Sequence, residues 1–185
     1  MSRQLIYIGN YTKGDDAAIY HGEVDAATGS IELLGTTSCS EHPSYLALHP
    51  RGDLLYAVHE VNSYDGGGAI SAWTIDRDSG DLTFINQQPT VGSPCHHAID
   101  ATGRYVICSN YGGGSWCMHP IAGNGALGEM CDFRQHEGSG PTPRQSSPHP
   151  HSINISADNR YVHIADLGMD QIVAYRLDLE AGKLV

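Results

Sequence analysis

The chain has 185 residues, with 22 Gly and 10 Tyr but only 17% charged residues, a balance that suits many short strands joined by tight turns rather than helices. Its formal net charge is -11 and its few Lys and Arg are scattered, which leaves no electrostatic footprint for a phosphate backbone and excludes nucleic acid as a partner. No apolar run of signal-peptide length opens the chain and none reaches the roughly eighteen residues of a membrane span, so the expectation is no membrane partner and a cytoplasmic setting.

In chain order, the first strand-like run is Leu5-Ile6-Tyr7-Ile8. Residues 19–24, a turn over 25–29 and residues 31–34 then read as a hairpin. From His42 a longer pattern begins. His42-Pro43-Ser44-Tyr45-Leu46-Ala47-Leu48 alternates as a strand, Gly52 marks a turn that tolerates positive φ, and Leu54-Leu55-Tyr56-Ala57-Val58 forms the second strand. A further hairpin follows, with strands at 70–75 and 82–85 around a turn at 76–81.

Residues 93–108 repeat the first of these hairpins and end in Asn110-Tyr111-Gly112-Gly113-Gly114, where the backbone must turn sharply and a ligand can approach closely. Residues 135–147, rich in Gly, Pro and Ser, read as an enlarged loop of the kind that gathers on a functional rim. Residues 149–165 give the hairpin a third time, and residues 172–177 with a turn at 178–182 begin its companion.

Two hairpins per repeat of about fifty residues make a four-stranded blade, and blades in series make a β-propeller. The fold class expected is therefore all-β, with Tyr7, Tyr56, Tyr105 and Tyr161 marking the period at intervals of 49, 49 and 56. The units fall near 1–41, 42–92, 93–147 and 148–185, about 3.7 blades forming one partial propeller domain. Trp73, Trp116 and Tyr175 belong to the blade core.

The chain starts inside a blade and reaches Val185 within the last strand of a unit, so it reads as part of a longer chain. Open edges also invite self-association, although two copies related by a two-fold give an even number of blades.

Three stretches are familiar together: His42-Pro43-Ser44-Tyr45 to Glu60, Asn110-Tyr111-Gly112-Gly113-Gly114 to Pro120-Ile121, and His149-Pro150-His151-Ser152 to Ala165-Asp166-Leu167-Gly168-Met169-Asp170. They resemble the 6-phosphogluconolactonase/lactonase family of seven-bladed β-propellers, and the resemblance runs over the whole chain. It implies a ring of seven blades, of which this chain matches the N-terminal half. It also implies a site near the central channel that uses no metal or other cofactor and relies on a His, an Arg and a Glu.

By its place in the motif, the His is His151. The Arg of a Gly-Pro-Arg-His stretch and the Glu of an Asn-Glu pair have no match between residues 1 and 185. Other departures are His97, where an aliphatic residue is usual, and Trp116 and Cys117 in a strand that is usually richer in Val. The activity implied is hydrolysis of a sugar-acid lactone, above all 6-phosphogluconolactone to 6-phosphogluconate in the pentose phosphate route. Two readings stand beside it: a propeller fragment or binding module without catalysis, and a lactonising lyase of the muconate type.

Lactone hydrolysis needs a base to activate water and, for a phosphorylated substrate, a cation. His151 suits the first task because imidazole titrates near neutral pH, and Arg144, in the long loop, suits the second. His149, Asn110, Tyr111, His96 and Glu60, the last with His59 beside it, complete the candidate substrate-binding set. His96, His97, His149 and His151 are an alternative metal set, but adjacent residues of a strand point to opposite faces, so no metal is expected. Asp166 and Asp170 are read as hydrogen-bonding the turns between blades. The five Cys (Cys39, Cys95, Cys108, Cys117, Cys131) contain no C-x-x-C pair and are odd in number, which points to reduced, mostly buried thiols.

Overall fold

The computed structural model describes residues 4–185 and contains no α-helix among them, only two single 3-10 turns at Gly14–Asp16 and Pro143–Gln145. Among the described residues, fifteen strands form four antiparallel sheets. The first holds β1 (Gln4–Ile8), β2 (Ala18–Val24) and β3 (Ile31–Ser38). The second holds β4 (Pro43–Leu48), β5 (Leu54–Tyr64), β6 (Gly67–Ile75) and β7 (Leu82–Pro89). The third holds β8 (Pro94–Ile99), β9 (Tyr105–Asn110), β10 (Ser115–Pro120) and β11 (Asp132–Gln135). The fourth holds β12 (Pro150–Ile155), β13 (Tyr161–Asp166), β14 (Gln171–Asp178) and β15 (Lys183–Leu184). Each sheet pairs its strands in chain order, and β8 packs against both β4 and β12, so the four are successive blades of a partial propeller.

Turn chemistry explains where the hairpins fold back. Gly52, Gly103 and Asn159 hold φ of 72°, 72° and 58° in the three inner hairpins, a region open to Gly and tolerated by Asn. In three of the outer hairpins an Asp side chain caps the turn. Asp25, Asp76 and Asp178 each accept two N–H groups from the residues that follow, and these bonds hold their carboxyls below the usual range.

Alternation along each strand then feeds two apolar layers at once. Leu55 and Ala57 pack with Ile19 and Trp73 on the side of the first sheet, while Leu54, Tyr56 and Val58 pack with Val106, Cys108 and Cys117 on the side of the third. A third layer, with Ile107, Trp116, Met118, Ile153, Ile164 and Tyr175, joins the third and fourth sheets.

The tyrosine period needs correction. The turn residues Gly52, Gly103 and Asn159 are 51 and 56 apart, and β5 pairs Tyr56 with Ala72 whereas β9 pairs Tyr105 with Pro120 at its very start. Tyr105 thus stands two residues earlier than Tyr56, on the same face. From there it does the same work. Tyr7, Tyr56 and Tyr105 donate to the carbonyls of Gly80, Gly125 and Leu179, each in an outer connection of the next blade, at 2.9, 2.8 and 3.3 Å. The cysteines need correction too: all five are free, but only Cys108 and Cys117 are buried, and Cys131 is exposed.

His97 fills the aliphatic place with a buried imidazole whose ring stands edge-on to Tyr45 at 5.5 Å. Burial first, then the neighbouring His96, pushes it down to about 3. Because the folded value lies below the unfolded 6.5, its neutral form contributes fully above pH 6.5 and that contribution is lost on acidification toward pH 3. The expected loss is on the order of 5 kcal/mol at most. In urea titrations between pH 7 and 4, His97→Leu should lose less stability than the parent chain, and parallel curves would refute the assignment.

Candidate functional site

The inner strands share one irregularity. Pairing steps from Pro43–His59 to Tyr45–Val58, from Pro94–Asn110 to His96–Ser109, and from Pro150–Asp166 to Ser152–Ala165. Ser44, Cys95 and His151 are therefore each an extra residue in the ladder, and a bulge re-aims the side chain it carries. His151 is exposed and lines an open cleft of about 440 Å³ together with Leu167, Asp170 and Ile172, whereas Cys95, at the same bulge one blade earlier, is covered by Pro150 and His151 of the next sheet. Cys95 is not a reactive counterpart, since burial, with the Glu60 carboxylate adding to it, pushes its thiol up to about 11.

Tyr111 gathers three of the expected residues. The ring of His149 stacks on it at 4.6 Å and 18°, His149 Nδ1 donates to the Tyr111 carbonyl at 3.0 Å, and His151 stands edge-on at 5.6 Å. From the long loop, Arg144 donates through Nη2 to the Tyr111 hydroxyl at 3.2 Å. That loop is tied down. Thr142 and Gln145 cap each other around the 3-10 turn, and Gln145 Nε2 donates to the Leu167 carbonyl at 3.0 Å and to Asp170 at 3.3 Å. Arg144 has no carboxylate partner among the described residues.

The other candidates do not touch the Tyr111 ring. The His96 ring packs tilted against Tyr45 at 4.1 Å and its Nδ1 accepts the Ile153 N–H at 3.3 Å, so it braces the contact between β8 and β12. Burial first, then His151, pushes its imidazole down to about 4, so it stays neutral at physiological pH. Glu60 accepts the Tyr11 hydroxyl at 2.7 Å.

Two expectations fail. Asn110 is fully buried rather than on the rim, donating to Ser115 Oγ at 3.1 Å, and Ser115 in turn donates to the Val91 carbonyl, so Asn110 braces a turn. His59 is also fully buried between Ser71 and the Ser40 carbonyl and does not line the rim with Glu60. The reason is common to both: His59, Asn110 and Asp166 are the partners of the proline at each bulge, a position that points into the blade. Asp166 accepts the His149 and Met169 N–H groups, and thus does hydrogen-bond the turn.

Sequence reasoning missed Tyr11, Tyr45 and Cys95 on this rim. Aligning the inner hairpins on Gly52, Gly103 and Asn159 puts Ser44, Cys95 and His151 in one place, whereas the tyrosine frame displaces Ser44 by two residues. Among the described residues, no group of three His, Cys, Asp or Glu is arranged to hold a metal, and no helix is long and apolar enough to cross a membrane.

Residues 5–185 match the family model described as lactonase, 7-bladed beta-propeller. The 6-phosphogluconolactonase of Bacillus subtilis is 33% identical over 178 residues, covering 96% of this chain and 50% of that protein. A crystal structure of a candidate 6-phosphogluconolactonase from Bacteroides fragilis is similar over 100% of this chain and 52% of its own, with a TM-score of 0.90 and 31% identity. The periplasmic gluconolactonase of Pseudomonas aeruginosa is similar over 94% of this chain and 50% of its own, with a TM-score of 0.85 and 32% identity. The chain thus spans about half the length of the relatives it matches.

Proposed function

The chain belongs to the seven-bladed β-propeller lactonase family, and from that membership we propose that its inner rim serves the hydrolysis of a sugar-acid lactone, with 6-phosphogluconolactone the substrate that fits best. The observation that carries this reading is the group around Tyr111, which sets an exposed imidazole and a guanidinium free of carboxylates on one ring. His151 acts as base, taking a proton from a water whose oxygen attacks the lactone carbonyl. As the ring C–O bond breaks, the proton returns to the departing alkoxide and the acid is released.

Arg144, steadied by Tyr111, binds the phosphate through its remaining N–H donors. In a chain of net charge -11, such a local cation is what offsets repulsion of an anionic substrate. The donor to the developing oxyanion is not assigned to a residue of these four sheets. Free thiols at all five cysteines support a reducing, cytoplasmic setting.

The test is titration of acid released from 6-phosphogluconolactone and from its unphosphorylated analogue. Arg144→Gln should raise KM for the phosphorylated lactone about tenfold or more while leaving that for the analogue within about twofold. Equal loss on both substrates would sink the phosphate assignment, and no acid release above the uncatalysed rate would sink the lactonase reading.

A further inference from the structure

Behind His151 lies a polar chain that the lactonase reading leaves unused. The Asp166 side chain is wholly buried. Its Oδ1 accepts the backbone N–H of His149 at 2.8 Å and of Met169 at 3.0 Å, and its Oδ2 accepts Nδ1–H of His136 at 2.7 Å. His136, itself buried, meets the Tyr175 hydroxyl through Nε2 at 2.9 Å, and the two rings are stacked at 6.2 Å. Tyr175 is held in turn by Trp116, edge-on at 5.3 Å.

A carboxylate withdrawn from water holds its place only when its acceptor sites are filled, and removing one donor frees it to turn. Asp166 pairs with Pro150 at the bulge that carries His151, and it grips the N–H of His149 on the near side of the bulge. The geometry assigns His136 as a positioning residue. It locks the Asp166 carboxylate, which pins the His149–Pro150–His151 backbone and so sets the direction in which the His151 imidazole points. His136 also starts the long loop, so the segment that ends at Arg144 and the bulge that presents His151 share one anchor.

This assignment rests on His151 being the base, and the experiment separates the two claims. On the full chain, His136→Leu, His136→Gln and Tyr175→Phe are compared with the parent by kcat and KM for 6-phosphogluconolactone. Amide hydrogen exchange at His149 and Met169 and the imidazole NMR signals of His151 are followed in parallel. His136→Leu should lower kcat about 10- to 100-fold with KM within about twofold. It should also speed exchange at both amides and move the His151 signals. His136→Gln, whose amide still donates to Asp166, should recover most of each effect.

Unchanged kcat in His136→Leu, or equal damage in the Leu and Gln variants, overturns the positioning role. If the parent shows no turnover, the lactonase reading fails, yet exchange and NMR still decide: amides and ring signals as in the parent overturn the assignment. Should His136→Leu not fold, Tyr175→Phe removes one hydroxyl only, and it must move the same signals in the same direction for the assignment to stand.

Discussion

Truncating Trp116 to alanine is expected to destabilise the chain by about 3–5 kcal/mol, read as a lower urea midpoint at unchanged slope. The side chain is completely buried between the third and fourth sheets, against Tyr175 and among Ile107, Ile153 and Ile164. Its removal takes away both the transfer free energy of an indole and the contacts of the residues left around the void. A domain commonly holds about 5–15 kcal/mol in all, so the loss is a large fraction of the total. Hydrogen exchange should show the fourth sheet released first, because this layer is its attachment to the rest. A shift under about 1 kcal/mol, or uniform loosening of all four sheets, would show that the layer does not carry that attachment. Trp116→Phe, which keeps an aromatic against Tyr175, should cost clearly less.

Replacing His151 by alanine is expected to lower turnover of 6-phosphogluconolactone by about 10²- to 10⁴-fold, the range of a general base. Stability should change by no more than about 0.5 kcal/mol, since the side chain is exposed on its bulge. The combination is diagnostic. Loss of turnover together with loss of the fold would make His151 a structural residue, and turnover within a few-fold of the parent would remove it from the mechanism. The readout complements that of Arg144→Gln, which alters affinity for one substrate and spares the chemical step.

Much of the architecture follows from local chemistry. Alternation in 42–48 and 54–58, the positive-φ turns at Gly52, Gly103 and Asn159, and the Asp-led outer turns each specify a hairpin without reference to distant residues. Repetition then specifies blades, because a sheet apolar on both faces must be covered on both. The candidate rim was legible only in outline. His151, His149, Tyr111 and Arg144 come together, but Asn110 and His59 turn inward and His96 is spent on a neighbouring strand.

By itself, the order of residues determined the strands, the turns and the repeat, since these depend on backbone preferences and on a period of two that a few neighbours suffice to express. Only the tertiary structure decided which side chains meet. A bulge is one surplus residue in a pairing register, visible only once the partner strand is in place, and His151 is that surplus residue in the fourth sheet. Likewise the contacts from Arg144 to Tyr111 and from His136 to Asp166 join residues 33 and 30 apart in the chain, through the packing of separate sheets that no local pattern records.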